Sequence, residues 1–165
     1  MRLAIVTFKL VIAVIMLLCS FHLYAGIDLV KVDKSKRRMY LIDNGSVVRE
    51  YRIALGKNPK GHKQREGDKK TPEGLYQLDY TITNSQFYKA FHINYPNRFD
   101  ILSARKRGVS PGGAISVHGL KNGTEQDPRF IQSFDWTNGC IAITNKEMDE
   151  FIQLVKPGTP IDIEW

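Results

Sequence analysis

Cys140 lies in the run Asp135-Trp136-Thr137-Asn138-Gly139-Cys140-Ile141-Ala142, and His118 lies upstream in Ser116-Val117-His118-Gly119. A thiolate attacks an acyl carbon to give a thioester, which an amine or water then resolves. An imidazole takes the thiol proton, or holds the thiolate as an ion pair, and later returns the proton to the leaving amine. Gly119 leaves room around this base, and a backbone carbonyl there could fix the imidazole tautomer. Gly139 lets backbone approach the reacting carbon, so the N–H groups of Asn138, Gly139 and Cys140 are candidates for an oxyanion hole. A Gly-Cys pair and a His-Gly pair are weak motifs taken singly. A small buried cysteine and a hydrogen-bonded core histidine fit the same residues.

The rest of the chain bears on that choice. At 165 residues, 42% hydrophobic and 25% charged, it suffices for one globular domain. Residues 1–25 stand apart: Arg2 and Lys9 come early, and residues 10–18 are unbroken apolar. This is the pattern of a secretory signal. Ala25 could end it, although Leu23 is large for a cleavage site; an uncleaved anchor over residues 3–18 is the rival, slightly short for a bilayer crossing. Cys19 raises lipidation, against which Leu18 counts. Residues 26–165 form the expected functional domain, in the periplasm or cell envelope. They contain one cysteine, and an exported thiol without a disulfide partner is an intermolecular link or a reactive group.

Removing residues 1–25 takes away Arg2 and Lys9 and no acid, so the formal charge falls from +7 to +5. That suits solubility and approach to an anionic polymer. Nucleic acid is a poor partner, since the basic residues are dispersed and no finger or helix-turn-helix pattern occurs. No His/Cys/Asp/Glu group has metal-ligand spacing and no phosphate loop is present, so no cofactor is implied.

The positioning elements read mostly as strands. Residues 28–32 and 38–42 are extended runs; Asn44-Gly45 is a hairpin turn, and residues 47–55 return. Residues 56–70 are polar, basic and glycine-containing, a long exposed loop. Thr71-Pro72-Glu73-Gly74 turns into a strand over residues 75–80, and another spans 90–94 before Tyr95-Pro96-Asn97. A short helix is expected over 98–106, and Pro111-Gly112-Gly113 precedes the strand carrying His118. Residues 120–135 read as a loop. Thr144 with Glu147 makes a capping box for a helix over 145–155, whose Met148, Phe151, Ile152 and Val155 face the core. Residues 160–165 end the chain as a strand. The expected architecture is mainly β, a sandwich or barrel with one or two short helices.

Taken together, Ser116-Val117-His118-Gly119 and Thr137-Asn138-Gly139-Cys140-Ile141 resemble the signature of the L,D-transpeptidases (YkuD-type domain). The run from Gly67 to Gly74 resembles that family's Thr-Pro-x-Gly turn. Tyr95-Pro96-Asn97, Pro111-Gly112-Gly113 and Asp135-Trp136-Thr137 resemble a branch of single-domain exported members. The resemblance covers about residues 27–165. It implies a β-rich domain in which Cys140 attacks the bond after the third residue of a peptidoglycan stem peptide and the terminal D-Ala leaves. The acyl group would pass to an amine of a neighbouring stem, a wall-linked lipoprotein lysine, or water. His118 would be the base and the Gly119 carbonyl its orienting group, with Thr137, Asn138 and Gly139 shaping the oxyanion side.

Two positions depart from the family pattern. Asn138 stands where many members have His, and Ala142 where many have Arg, which removes a bidentate contact to a substrate carboxylate. Arg129 and the loop Lys and Arg side chains are the candidates to replace it. His22 lies in the targeting segment, His62 reads as a solvated loop residue, and His92 as a strand residue at the surface or satisfied in the core. Tyr88, Tyr95 and Trp136 could line a groove, although core packing accounts for such aromatics as readily. The readings left are a transpeptidase, a hydrolase using the same thioester, and a non-catalytic wall-binding module with an inert Cys140. A tethered partner-binding protein has only the apolar N-terminus behind it.

Overall fold

In the computed structural model the described residues are 26–165, so the expected signal, anchor and Cys19 lie outside them. Eight strands form one continuous sheet. In chain order they are β1 (Leu29–Asp33), β2 (Arg38–Asp43), β3 (Ser46–Arg52), β4 (Gly74–Ser85), β5 (Tyr88–Ile93), β6 (Ser116–His118), β7 (Ile141–Ala142) and β8 (Pro160–Glu164). Their spatial order is β3-β2-β1-β8-β4-β5-β6-β7. The pairs β1–β8 and β6–β7 are parallel and the others antiparallel.

The sheet bends on β4. Its first residues, Gly74 to Gln77, pair with β8, and those from Leu78 onward pair with β5. The two outer edges then meet, because Ala54, just beyond β3, exchanges both backbone hydrogen bonds with Ala142 of β7 at 2.9 and 2.8 Å. The expected β sandwich or barrel is thus observed as a sheet folded over and stitched shut at its ends.

Alternation explains the core. Val30 and Val32, Met39 and Leu41, and Ile161 and Ile163 point inward from neighbouring strands and are almost fully buried. The Asn44-Gly45 turn is observed, with both residues at positive φ (47° and 75°), the conformation a two-residue hairpin needs. β4 runs on to Ser85, past the expected end at residue 80, because Thr81, Ile82 and Ser85 continue the ladder to β5.

Among the described residues, three helices accompany the sheet. α1 (Arg98–Lys106) has a capping box between Asn97 and Asp100. α2 (Pro128–Ile131) is a single turn inside the segment read as loop, started by the Asp127 side chain on the Arg129 N–H and by Pro128 at the first position. α3 (Asn145–Leu154) begins at the expected Thr144–Glu147 capping box. Its Met148 and Phe151 are buried, and Phe151 meets Tyr51 and Phe91 edge-on. Tyr88 and Lys89 of β5 both reach Asp149, at 2.9 and 2.6 Å, and tie α3 to the sheet beside β6. Among the described residues, no helix is long and apolar enough to cross a membrane.

Candidate active site

β6 and β7 lie side by side in parallel, with Val117 opposite Ile141 and His118 opposite Ala142. Val117 and Ile141 are fully buried on one face. Alternation turns His118, and Cys140 one residue before β7, to the other face, diagonally placed. The hydrogen bond from the Ile143 N–H to the His118 carbonyl, 3.0 Å, fixes this register.

His118 Nδ1 lies 2.7 Å from the Gly119 carbonyl. A carbonyl only accepts, so Nδ1 carries the proton and Nε2 keeps its lone pair, the tautomer a base requires. Phe87 and Trp136 enclose the imidazole, with ring centroids 4.6 and 5.6 Å away. Burial pushes the His118 pKa down, against the Gly119 carbonyl, which favours the protonated ring. Gly119 itself is needed for space: a Cβ would sit 2.6 Å from Asn145 Oδ1 and 3.0 Å from Tyr88 Cβ. That same Asn145 Oδ1 accepts the Leu120 N–H at 2.8 Å.

The Cys140 thiol points to the carbonyl of Ala114, 3.6 Å away, supplied by a residue held at φ 54° just before β6. Burial pushes the thiol pKa up, while the Ser116 backbone N–H and the Lys63 ammonium pull it down. Burial thus works against the charged form of each group, the thiolate of Cys140 and the imidazolium of His118.

Thr137 is the staple of the loop between Trp136 and Cys140. Its Oγ1 donates to the Cys140 carbonyl at 2.7 Å and accepts the Gly139 N–H at 3.1 Å. Its backbone bonds Leu55 and Lys57 on the far side. The Gly139 N–H is thereby spent within the loop, which leaves the amides of Asn138 and Cys140 as the candidates to face an oxyanion. Gly139, at φ 136°, has no room for a side chain, since a Cβ would lie 2.7 Å from the Lys70 carbonyl. Gly56 is equally confined, since a Cβ there would sit 2.2 Å from the Lys69 carbonyl oxygen and 3.1 Å from Gly139 Cα. Asn138 is exposed. Asp135 grips Arg37 through both oxygens and accepts the Leu55 N–H at 3.0 Å, so the Asp135-Trp136-Thr137 run anchors, covers and staples in turn.

Ala142 shares the face of His118 and Cys140 but is fully buried and carries only a methyl, so it offers no contact to a substrate carboxylate, and its carbonyl takes Gln132 Nε2 at 2.9 Å. Arg129 does not replace it: it is 91% exposed and turned onto Asp127 of its own helix cap. Tyr95 is core, its hydroxyl on the Pro111 carbonyl at 3.0 Å, and Tyr88 serves α3. Of the three aromatics expected in a groove, Trp136 alone packs on His118, edge-on.

His62 is about a third exposed, yet it is tied down at both ring nitrogens. Nδ1 accepts the Glu73 N–H at 3.0 Å and Nε2 meets Asp100 at 3.0 Å, where the Tyr76 hydroxyl also donates. Lys34, which no sequence signal marks, is fully buried and donates to the Gly61 and Thr71 carbonyls and to Glu73 at 3.1, 2.8 and 3.0 Å. Phe87 likewise has no signal in the sequence, since only the β4–β5 turn brings it over His118.

Comparison with known proteins agrees with this fold. YafK of Escherichia coli K12, which carries an L,D-transpeptidase name, is 36% identical over 107 residues, or 64% of this chain and 36% of YafK. The helical cell shape determining protein Pgp2 of Campylobacter jejuni superposes with a TM-score of 0.62 at 29% identity, over 82% of this chain and 46% of Pgp2. Bd1075 of Bdellovibrio bacteriovorus gives 0.59 at 27%, over 84% and 48%. The chain thus spans about a third of YafK and about half of the two solved proteins. The model of the L,D-transpeptidase catalytic domain matches residues 27–163, from just before β1 into β8, and the chain belongs to that family, YkuD.

Proposed function

We propose that the chain is a cysteine acyltransferase of peptidoglycan, an L,D-transpeptidase with Cys140 as nucleophile and His118 as base. The observation that carries this reading is the β6–β7 register, which sets both side chains on one face with the His118 tautomer held by Gly119. The thiol sulfur attacks the carbonyl of the third stem residue, whose amide bond to the terminal D-Ala then breaks, while His118 Nε2 takes its proton. The amides of Asn138 and Cys140 stabilise the oxyanion, with the loop held by Thr137. The imidazolium then protonates the departing D-Ala amine, leaving a thioester. An acceptor amine attacks, gives its proton to His118 and restores the thiol as the new amide forms.

The reaction is assigned to the cell envelope on the strength of the export-like N-terminus, with residues 3–18 as a tether if uncleaved. A stem-peptide amine is the assigned acceptor, with a lipoprotein lysine as the protein counterpart. Pgp2 is described as determining helical cell shape, and a role in wall architecture suits a stem-peptide enzyme.

The test is mass spectrometry of the purified chain incubated with a disaccharide-tetrapeptide of the diaminopimelate type. A cross-linked dimer lacking one D-Ala is expected, with Cys140→Ser and His118→Ala each lowering its rate at least about a thousandfold. Shortened monomer alone identifies water as the acceptor and makes the enzyme a hydrolase. Full turnover by Cys140→Ser sinks the mechanism. No product, together with a Cys140 that resists small alkylating agents, returns the wall-binding reading.

A further inference from the structure

Ala142 leaves a question that the loop over residues 56–70 answers. This loop, with the turn after α1, encloses an open cavity of about 750 Å³ whose wall carries Arg65, Lys69, Lys70 and Arg107. The one acid in that wall, Asp68, is already spent. Its carboxylate takes Lys63 Nζ at 2.8 Å and the Gln64, Arg65 and Lys70 N–H groups at 2.7, 3.1 and 3.1 Å. Among the described residues, none of the four wall cations makes an ion pair. Lys70 and Arg107 are aimed by neutral oxygens, Lys70 Nζ by the Lys60 carbonyl and Arg107 by the Gln64 carbonyl and Ser103. Lys69 is held at φ 58°, a left-handed backbone uncommon outside glycine, with its carbonyl fixed by the Asn58 N–H.

The cavity communicates with the catalytic loop. A groove of about 370 Å³, lined among others by Lys63, Glu66, Gly112, Ile115 and Asn138, shares Gly67 and Lys69 with it, and its one carboxylate, Glu66, accepts the Ser110 hydroxyl at 3.1 Å. Asn138 and Ile115 flank Cys140 and the Ala114 carbonyl that its thiol meets. A peptide whose scissile carbonyl lies at Cys140 and whose chain follows this groove brings its acidic groups to four unpaired cations.

We propose that this cavity is the subsite for the free carboxylates of the acyl-donor stem peptide, supplying through Arg65, Lys69, Lys70 and Arg107 the contact that Ala142 cannot make. It rests on the peptidoglycan reading above. A stem containing γ-linked glutamate and diaminopimelate exposes carboxylates that no peptide bond consumes, and guanidinium groups bind such planar anions through paired hydrogen bonds.

The experiment is calorimetric titration of the 165-residue chain with a disaccharide-tripeptide, which lacks the scissile D-Ala, in free-carboxylate and carboxamide forms. The wild type is expected to bind the free form about tenfold more tightly, the scale of one charge-assisted hydrogen bond. Arg65→Gln/Lys69→Gln is expected to lose that preference, whereas Lys146→Gln/Lys156→Gln, which removes the same charge from exposed positions on and just after α3, is expected to keep it. Equal affinity of the wild type for both forms overturns the proposal, as does an unchanged preference in Arg65→Gln/Lys69→Gln. Inorganic phosphate binding in the cavity with no tripeptide binding also overturns it and makes the site one for a simple anion. Tetrapeptide turnover is read separately. Product formation without carboxylate preference fails this subsite alone, and preference without product fails the catalytic reading alone.

Discussion

Two segments border Cys140, and they are built on different principles. Residues 56–70 are polar and basic, yet the chain holds them as a wall. Lys34 reaches up from the end of β1 to three oxygens, Asp68 gathers Lys63 and three backbone N–H groups, and Thr71 Oγ1 accepts the Gly56 N–H at 3.1 Å. Residues 120–136 are fastened at their two ends, by Asn122 on the β4–β5 turn and by Gln132 and Asp135 on the strands. Between those ends residues 121–130 are exposed throughout, and α2 presents Phe130 to solvent. The difference teaches that stability follows where a segment's polar groups find partners, and that a loop's composition is a poor guide to it.

The comparison breaks most severely where the wall meets the catalytic loop. Gly56→Ala drives a methyl into the Lys69 carbonyl, against backbone that has nowhere to go, and should cost about 3 kcal/mol. For a chain of this size that lowers the melting temperature by roughly 6–12 °C in calorimetry. An unchanged transition would show that the wall yields. Next comes Lys34→Met, which leaves two carbonyls and Glu73 without their cation and should cost about 2 kcal/mol by chemical denaturation. A loss below about 0.5 kcal/mol, the scale of a neutral surface change, would make Lys34 a bystander.

Acid should sharpen the contrast further. Burial raises the Asp68 pKa, but Lys63 and the backbone N–H groups outweigh it and hold the carboxyl at about 2, below its ordinary 3.8. A depressed carboxylate contributes stability that is complete above the ordinary value and is lost as pH falls from 3.8 toward about 2. Amide exchange at Gln64, Arg65 and Lys70 should therefore accelerate across that window, and Asp68→Asn should abolish the dependence. The smallest effect belongs to the other border. Phe130→Ser with Phe134→Ser removes an exposed edge-to-face pair and should shift stability by no more than about 0.5 kcal/mol. A larger loss would mean that this cover is packed more firmly than its exposure indicates.

What could be read from the sequence was what is local. Asn44-Gly45 and the Thr144–Glu147 capping box declare themselves within four residues, and the alternation of Val30, Val32, Met39 and Leu41 marks a core face directly. Cys140 and His118 stand out as candidates because short turn signals flank each, and the β6–β7 register sets them on one face. What stayed hidden depends on distant partners. A lysine is presumed solvated, and Lys34 is buried only because oxygens from residues 61, 71 and 73 converge on it. The partners of His62 are hidden in the same way, since Glu73 and Asp100 hold its two nitrogens although the side chain stays about a third exposed. Nothing local to Gly139 announces that the Thr137 hydroxyl takes its N–H.

The stitch between Ala54 and Ala142 has a consequence for how this thiol comes into use. β7 is seated against β6 on one side and against Ala54 on the other, so Cys140 meets His118 as the sheet closes. Such far-apart pairings form late in folding, after the cost of closing long loops has been met. A chain still folding therefore carries a cysteine of ordinary chemistry, with no imidazole on its face and no shaped pocket. The arrangement on which the proposed chemistry depends is armed only by completion of the fold.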